Sequence, residues 1–132
     1  IALLVGGTIT VALTLGLAAL FGADREMLMS LAPKSVTSPI AIALAEQMGG
    51  IPALTAVFVM ITGVLGAVLG PFLLDRAGVT SPAARGLSLG LSAHAIGTAQ
   101  ALQEHQEAGG FAALAMSLAG AFSALALPLL LG

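Results

Sequence analysis

Three long stretches of the sequence carry no charged residue, and they constrain the fold more than any other feature. They cover residues 1–23, 47–74 and 108–132. A helix of about 20 apolar residues spans the hydrocarbon core of a bilayer, so each stretch can cross a membrane once. Only 8% of all residues are charged, against about 25% in soluble domains. The sequence therefore predicts an integral membrane protein, with apolar spans at about 1–22, 51–74 and 111–131.

Composition argues against several classes of function. Four basic residues and a net charge of −2 provide no basic surface for nucleic acid. With no Cys and two His, a Cys-based zinc site, an iron–sulfur cluster and a disulfide framework are excluded. The sequence patterns of phosphate-binding loops, zinc proteases and serine hydrolases are missing. We therefore expect a protein of the lipid bilayer that is not an enzyme and has no cofactor or metal.

The segment at about 27–48 is helical in pattern but interrupted. Pro33 and Pro39 enclose a polar run, and proline both removes a backbone donor and disfavours a helical residue before it. A new helix is predicted to begin with Ser38 as its cap and Pro39 at its first position. It should end at Gly49-Gly50.

A second interrupted segment lies at about 82–107. Ser81-Pro82 predicts a helix start, and the polar residues 94–98 interrupt the helix that follows. A short polar helix should then end at Gly109-Gly110. Each interrupted segment could either cross the membrane or re-enter on one side, and the pattern leaves both alternatives open. The predicted fold is an all-α, polytopic helical bundle with two discontinuous or re-entrant helices in a single transmembrane domain, residues 1–132.

The two interrupted segments suggest an internal repeat. A shift of 60 residues places Lys34 on His94, Ser38 on Thr98 and Gly49-Gly50 on Gly109-Gly110. Both halves then contain a polar break, a short helix, a double glycine and a long apolar span. We treat a duplication, with parallel or inverted units, as a hypothesis. Paired interrupted segments mark the substrate site in many secondary transporters.

The polar run after Pro33 is the first candidate site. Lys34 supplies a positive charge, and Ser35, Thr37 and Ser38 supply hydroxyls next to a helix start. Unpaired backbone N–H groups at a helix start favour anions, so the run suits a small carboxylate or phosphate. In the alternative interpretation, Lys34 extends to a lipid headgroup and the hydroxyls cap a turn.

The second break provides His94, Gly97 and Thr98. His94 could donate to a carboxylate or carry a proton, Gly97 would let the backbone bend or a ligand approach, and Thr98 would cap the next half-helix. The alternative for His94 is a neutral ring hydrogen-bonded between helices. Arg85 is predicted to pair with Asp75 or a lipid phosphate.

Several motifs, in order along the chain, resemble the LrgB/CidB membrane protein family. They are LAPKSVTSPIA at 31–41, GGIPALTAV at 49–57 and SAHAIGTA at 92–99. Ser38 stands where the family usually has Thr, and Ala93 separates Ser92 from His94. Since family members are longer at the N-terminus, the chain resembles the C-terminal part of one.

The resemblance implies two functions. One is transport of small monocarboxylates such as glycolate, glycerate or pyruvate, coupled to H⁺ or Na⁺, since the plastid glycolate/glycerate transporter is a relative. The other is holin/antiholin-like modulation of murein hydrolase activity and autolysis. It also implies the bacterial cytoplasmic membrane and a small LrgA/CidA-type membrane partner. We further expect a homo-oligomer.

Overall fold

A computed structural model describes residues 1–132 and contains six α-helices and no strands. The helices are α1 (Ala2–Leu20), α2 (Arg25–Leu31), α3 (Ser38–Met48), α4 (Pro52–Arg76), α5 (Pro82–Glu104) and α6 (Gln106–Leu131). Three of them, α1, α4 and α6, are long and apolar enough to cross a membrane. The predicted all-α membrane fold is confirmed.

Local signals explain most helix ends. Asp24 caps α2 by accepting a hydrogen bond from the Met27 N–H at 2.8 Å. Ser81 caps α5 in the same way, through the Ala84 N–H at 3.4 Å. Gly49 ends α3 with a φ of 81°, a left-handed conformation that glycine adopts without steric cost.

Two predicted boundaries are wrong. Thr37, rather than Ser38, is the N-cap of α3, so Pro39 is the second helical residue. Gly109-Gly110 does not end a helix, because the break lies at His105, whose backbone is extended. A Cβ at Gly109 would lie 2.6 Å from Leu102 Cδ1. Close packing at this glycine therefore outweighs its low helix propensity.

Helices α2 and α3 form a helical hairpin, here called the first hairpin (residues 25–48). The chain leaving α3 returns to α2, since a Cβ at Gly50 would lie 2.8 Å from the Met29 carbonyl carbon. Met29, Leu44 and Met48 share one buried apolar cluster. The end of α3 thus lies beside the last turn of α2, so the segment folds back on itself.

Helix α5 also folds back on itself, at His94, and forms the second hairpin (residues 82–104). His94 has φ 43° and ψ −129° inside an otherwise helical segment. Arg85 Nε lies 2.9 Å from Glu104 Oε2 although the residues are 19 positions apart. A straight helix would separate them by roughly 28 Å. This segment therefore folds back on itself as well.

The two hairpins enter from opposite ends of the bundle. Helix α4 runs from the first hairpin's open end to the mouth of the second, where Asp75 and Arg85 are 2.7 Å apart. Helix α6 runs back, and its Leu131 carbonyl accepts a hydrogen bond from Arg25 Nη2 at 3.1 Å. We call these the Arg25 end and the Arg85 end.

The unit of a hairpin followed by a long helix thus occurs twice, in inverted orientation. The glycine pairs aligned by the 60-residue shift are not equivalent, however. Gly49-Gly50 lies between helices, whereas Gly109-Gly110 lies inside α6. The inverted architecture supports the duplication hypothesis. The alignment of the two glycine pairs by a 60-residue shift does not.

Glycines allow the second hairpin to pack closely against α4 and α6. A Cβ at Gly66 would lie 2.5 Å from the Ala93 Cβ. Gly86 and Gly90 face the backbone of Ala108 and Ala112 on α6. Small residues four apart let helix backbones approach closely within a membrane. These glycines therefore serve helix packing.

Candidate functional site

The tips of both hairpins meet at one residue of α4. Val36, at the tip of the first hairpin, packs against Val59. His94, at the tip of the second, places Nε2 2.9 Å from the Val59 carbonyl oxygen. Val59 itself is fully buried. We call this meeting point, formed by residues 33–37, Val59 and His94, the junction.

The fold positions the His94 ring tightly. A Cβ at Gly63 would lie 2.6 Å from His94 Cε1, so the ring fills the space that a side chain would take. Because the Val59 carbonyl can only accept, Nε2 must carry the hydrogen. His94 is buried, and its positive φ is unusual for a residue with a side chain. The structure therefore contains the hydrogen bond between helices that was the alternative to a binding role for His94. A role of His94 in substrate binding stays a prediction.

Lys34 has no acidic partner. Its ammonium lies 3.3 Å from the Ser35 hydroxyl, and both ion pairs of the chain belong to Arg85. The Thr37 hydroxyl forms no capping bond with α3. The first turn of α3, which begins at Ser38, has backbone N–H groups without helical partners. A half-buried cation, hydroxyls and a helix start thus lie together at the first tip, and this combination can hold an anion.

Gly97 and Thr98 act within the second hairpin. Gly97 packs against the Leu89 carbonyl of the hairpin's own first half, so it permits the reversal and leaves no space for a ligand beside it. Thr98 does not cap a helix as predicted. Its hydroxyl donates to the His94 carbonyl at 2.8 Å, a common alternative for Thr inside helices.

A pair of hydroxyls that the sequence did not predict anchors the first hairpin. The Ile51 N–H donates to Ser30 Oγ at 2.7 Å. Thr55 Oγ1 donates to the Ser30 carbonyl at 2.9 Å. Ser30 and Thr55 are both fully buried. No motif marks either residue, because the pairing joins positions 25 apart that only the fold brings together.

Arg85 closes the mouth of the second hairpin. It donates to Asp75 at 2.7 Å and to the Val79 carbonyl at 3.0 Å, and it pairs with Glu104 at 2.9 Å. The hydrogen bond to Glu104 raises the pKa of the Arg85 guanidinium, and burial opposes this. Pairing with Asp75 was predicted, but Glu104 was not.

Comparison with known proteins gives consistent matches. A model of the LrgB-like family matches residues 1–132. The Holin-like protein CidB of Staphylococcus epidermidis is 36% identical over 85% of this chain and 49% of its own length. The uncharacterized protein YxaC of Bacillus subtilis is 42% identical over 74% of this chain and 43% of its own length. The chain thus spans about half the length of these relatives. No solved structure matches.

Proposed function

Because the chain belongs to the LrgB-like family, we propose that it forms part of a membrane carrier for small monocarboxylates in the bacterial cytoplasmic membrane. One observation carries the proposal: two helical hairpins of opposite orientation meet at Val59, inside a helix long and apolar enough to span a membrane. Inverted repeats with interrupted helices that meet near the bilayer midplane are typical of secondary transporters.

The chemistry of the first tip favours a carboxylate as the substrate group. In this proposal, Lys34 and the N-terminus of α3 hold the carboxylate, with hydroxyls from Ser35, Thr37 and Ser38. An ammonium without an acidic partner provides the counter-charge at low dielectric, where charge–charge attraction is strong. His94, with Gly97 and Thr98 behind it, holds the other end of the molecule.

The carrier is proposed to couple transport to H⁺ or Na⁺, to assemble as a homo-oligomer and to act with a small LrgA/CidA-type membrane protein. Position 34 distinguishes this proposal from a purely structural role for the first tip. Lys34 supplies the only charge at the junction, so a carrier depends on it and a scaffold does not.

The test is uptake of labelled pyruvate, glycolate and glycerate by liposomes containing the full-length protein. We expect saturable uptake that Lys34→Ala abolishes. Arg76→Ala is the matched control, since Arg76 is an exposed cation at the end of α4 and its loss should leave uptake intact. No uptake under H⁺ or Na⁺ gradients, with or without the small partner, would overturn the proposal.

A second candidate function is holin-like control of murein hydrolase activity. The observation that favours it is the name of the staphylococcal relatives, which are described as holin-like. This function needs helix packing, as at Gly66 and Gly86, but no anion site. In an autolysis assay of cells carrying variants, it predicts that Lys34→Ala is silent and that Gly86→Leu abolishes the phenotype.

A further inference from the structure

An apolar groove runs between α1 and α6, away from the junction. Residues within 1–12 and 118–130 line it, and 11 of the 14 lining residues are hydrophobic. Thr8 and Ser123 supply its hydroxyls, and that of Thr8 donates to the Leu4 carbonyl of its own helix at 2.7 Å. Since no charged residue lines the groove, it suits an apolar molecule and not an anion.

Helix α1 packs loosely and leaves this groove open. None of its 19 residues is buried, and of the buried residues of α6 only Leu127 lines the groove. A gap between two packed helices loses dispersion contacts on both walls unless another molecule fills it. Because both helices are long and apolar enough to span a membrane, lipid is the molecule that surrounds the groove.

The volume of the groove, about 420 Å³, matches one hydrocarbon chain. An engineered protein cavity of about 150 Å³ binds one benzene molecule, which corresponds to about 25 Å³ per carbon atom. At that volume per carbon, the groove holds about 17 carbon atoms, the size of one acyl chain of a membrane lipid. A 12-residue helix has about 60 non-hydrogen atoms even as polyalanine, so a helix of a second copy does not fit between α1 and α6.

The groove covers one leaflet of the bilayer, at the Arg25 end. From Leu118 to Leu130, α6 rises about 18 Å, close to the ~15 Å of hydrocarbon in one leaflet. Helix α6 reaches the Arg25 end at Leu131, and α1 ends at Leu20, shortly before Arg25. An acyl chain in the groove therefore has its headgroup at this end and its methyl end near the middle of the bilayer.

Arg25 supplies a cation at the mouth of the groove. Its Nη2 lies 3.1 Å from the carbonyl of Leu131, the residue after the groove-lining Leu130. Arg25 is exposed and forms no ion pair, since both ion pairs of the chain belong to Arg85. A guanidinium has five donors, and its planar fork matches a phosphate group. Asp24 and Glu26 flank Arg25 in the sequence, so the charges here suit a headgroup with both a phosphate and an ammonium group.

We propose that the groove between α1 and α6 is a binding site for one zwitterionic phospholipid, with an acyl chain between the helices and the phosphate at Arg25. The lipid completes the packing of α1, the helix with no buried residue of its own. The inference goes beyond the proposed transport function and does not depend on it.

The test is native mass spectrometry of the full-length protein in mild detergent, titrated with phosphatidylethanolamine. We expect one lipid to be retained per protomer. Ala126→Phe places a ring in the groove and should weaken retention at least about tenfold, as expected for the loss of about two buried CH₂ groups.

Ala124→Phe is the matched control, because Ala124 is exposed on the same helix and does not line the groove. Retention should be unchanged in this variant. Gly7→Leu fills the groove from α1 and should act as Ala126→Phe does. A Cβ at Gly7 lies 4.0 Å from its nearest neighbour, Leu91 Cδ1, so the change is compatible with the fold.

Arg25→Gln tests the headgroup contact. It should weaken retention of phosphatidylethanolamine about tenfold, because a charge-assisted hydrogen bond is lost. Retention of diacylglycerol, which has no phosphate, should not change, whereas a purely structural role of Arg25 at the end of α6 would lower both. Arg76→Gln, at the Arg85 end, should be silent.

The proposal is overturned if no phospholipid is retained, or if Ala126→Phe and Ala124→Phe retain it equally. A lipid-free dimer would also overturn it and would assign the groove to a second copy. Equal loss of both lipids in Arg25→Gln would remove the phosphate contact from the proposal.

Discussion

At the scale of single residues, the junction depends on a glycine that no polar motif marks. A Cβ at Gly63 would lie 2.6 Å from Cε1 and 2.9 Å from Nε2 of His94. The imidazole therefore occupies the space left by the missing side chain. The hydrogen bond between His94 and Val59 is possible only because residue 63 is a glycine and has no side chain.

We predict that Gly63→Ala displaces the His94 ring and weakens substrate binding. The added methyl must push the ring away from the Val59 carbonyl, which should raise KM for uptake about tenfold through the lost hydrogen bond. Gly110→Ala is the control, since nothing lies within 4 Å of a Cβ there. Equal KM values for both variants would show that the ring's position does not matter.

At the scale of elements, the two hairpins are anchored by different chemistry. The first is fixed by the buried Ser30 and Thr55 hydroxyls. The second is fixed at its mouth by ion pairs of Arg85 with Asp75 and Glu104. Buried neutral hydrogen bonds are insensitive to salt, whereas partly exposed ion pairs are screened by it.

Thr55→Val should destabilise the protein by about 1 kcal/mol, because it removes the buried donor to the Ser30 carbonyl. The midpoint of thermal unfolding in detergent measures the effect. Thr8→Val is the matched control, since the Thr8 hydroxyl is exposed and bonds only within its own helix. A Thr8→Val loss as large as that of Thr55→Val would contradict an anchoring role.

Glu104→Gln should destabilise the second hairpin more than Asp75→Asn. The Glu104 side chain is 21% exposed and that of Asp75 is 69% exposed, and water weakens the more exposed pair. We expect about 1 kcal/mol or less for either, with the Glu104 effect reduced in high salt. Unfolding midpoints at low and high salt test this order, and a larger loss for Asp75→Asn would contradict it.

At the scale of the whole molecule, the inverted arrangement predicts which loops share a side of the membrane. If both hairpins re-enter the membrane, residues 80 and 103 lie together on the side of the Arg85 end. Residue 47 then lies at the Arg25 end. Continuous crossings would instead place residues 80 and 103 on opposite sides.

Cysteine labelling tests this topology, since the chain has no Cys of its own. We expect Thr80→Cys and Gln103→Cys to react with a membrane-impermeant thiol reagent from one side, and Gln47→Cys from the other. The assay uses the full-length protein with any cysteines elsewhere replaced. Opposite labelling of residues 80 and 103 would show that α5 crosses the membrane.

Much of the fold could be predicted, because it depends on short-range properties of the chain. Charge-free length identifies the spanning helices, and Ser81-Pro82 and Gly49 determine nearby helix ends through local backbone geometry. Prediction failed at Gly109-Gly110, where packing against Leu102 keeps the chain helical. For the site, both interruptions were predicted, but the partners of His94 and Arg85 were only partly so.

The sequence by itself determined that this protein is a helical membrane protein with two polar interruptions, one of them with a lysine beside a helix start. Both features follow from composition and proline geometry, which act within a few residues. They can therefore be inferred without knowing the fold. Only the tertiary structure decided that both segments fold back on themselves, that they enter the bundle from opposite ends, and that their tips meet at Val59. Those facts rest on contacts between residues 19, 35 and 106 positions apart, which helix packing selects and local pattern does not encode.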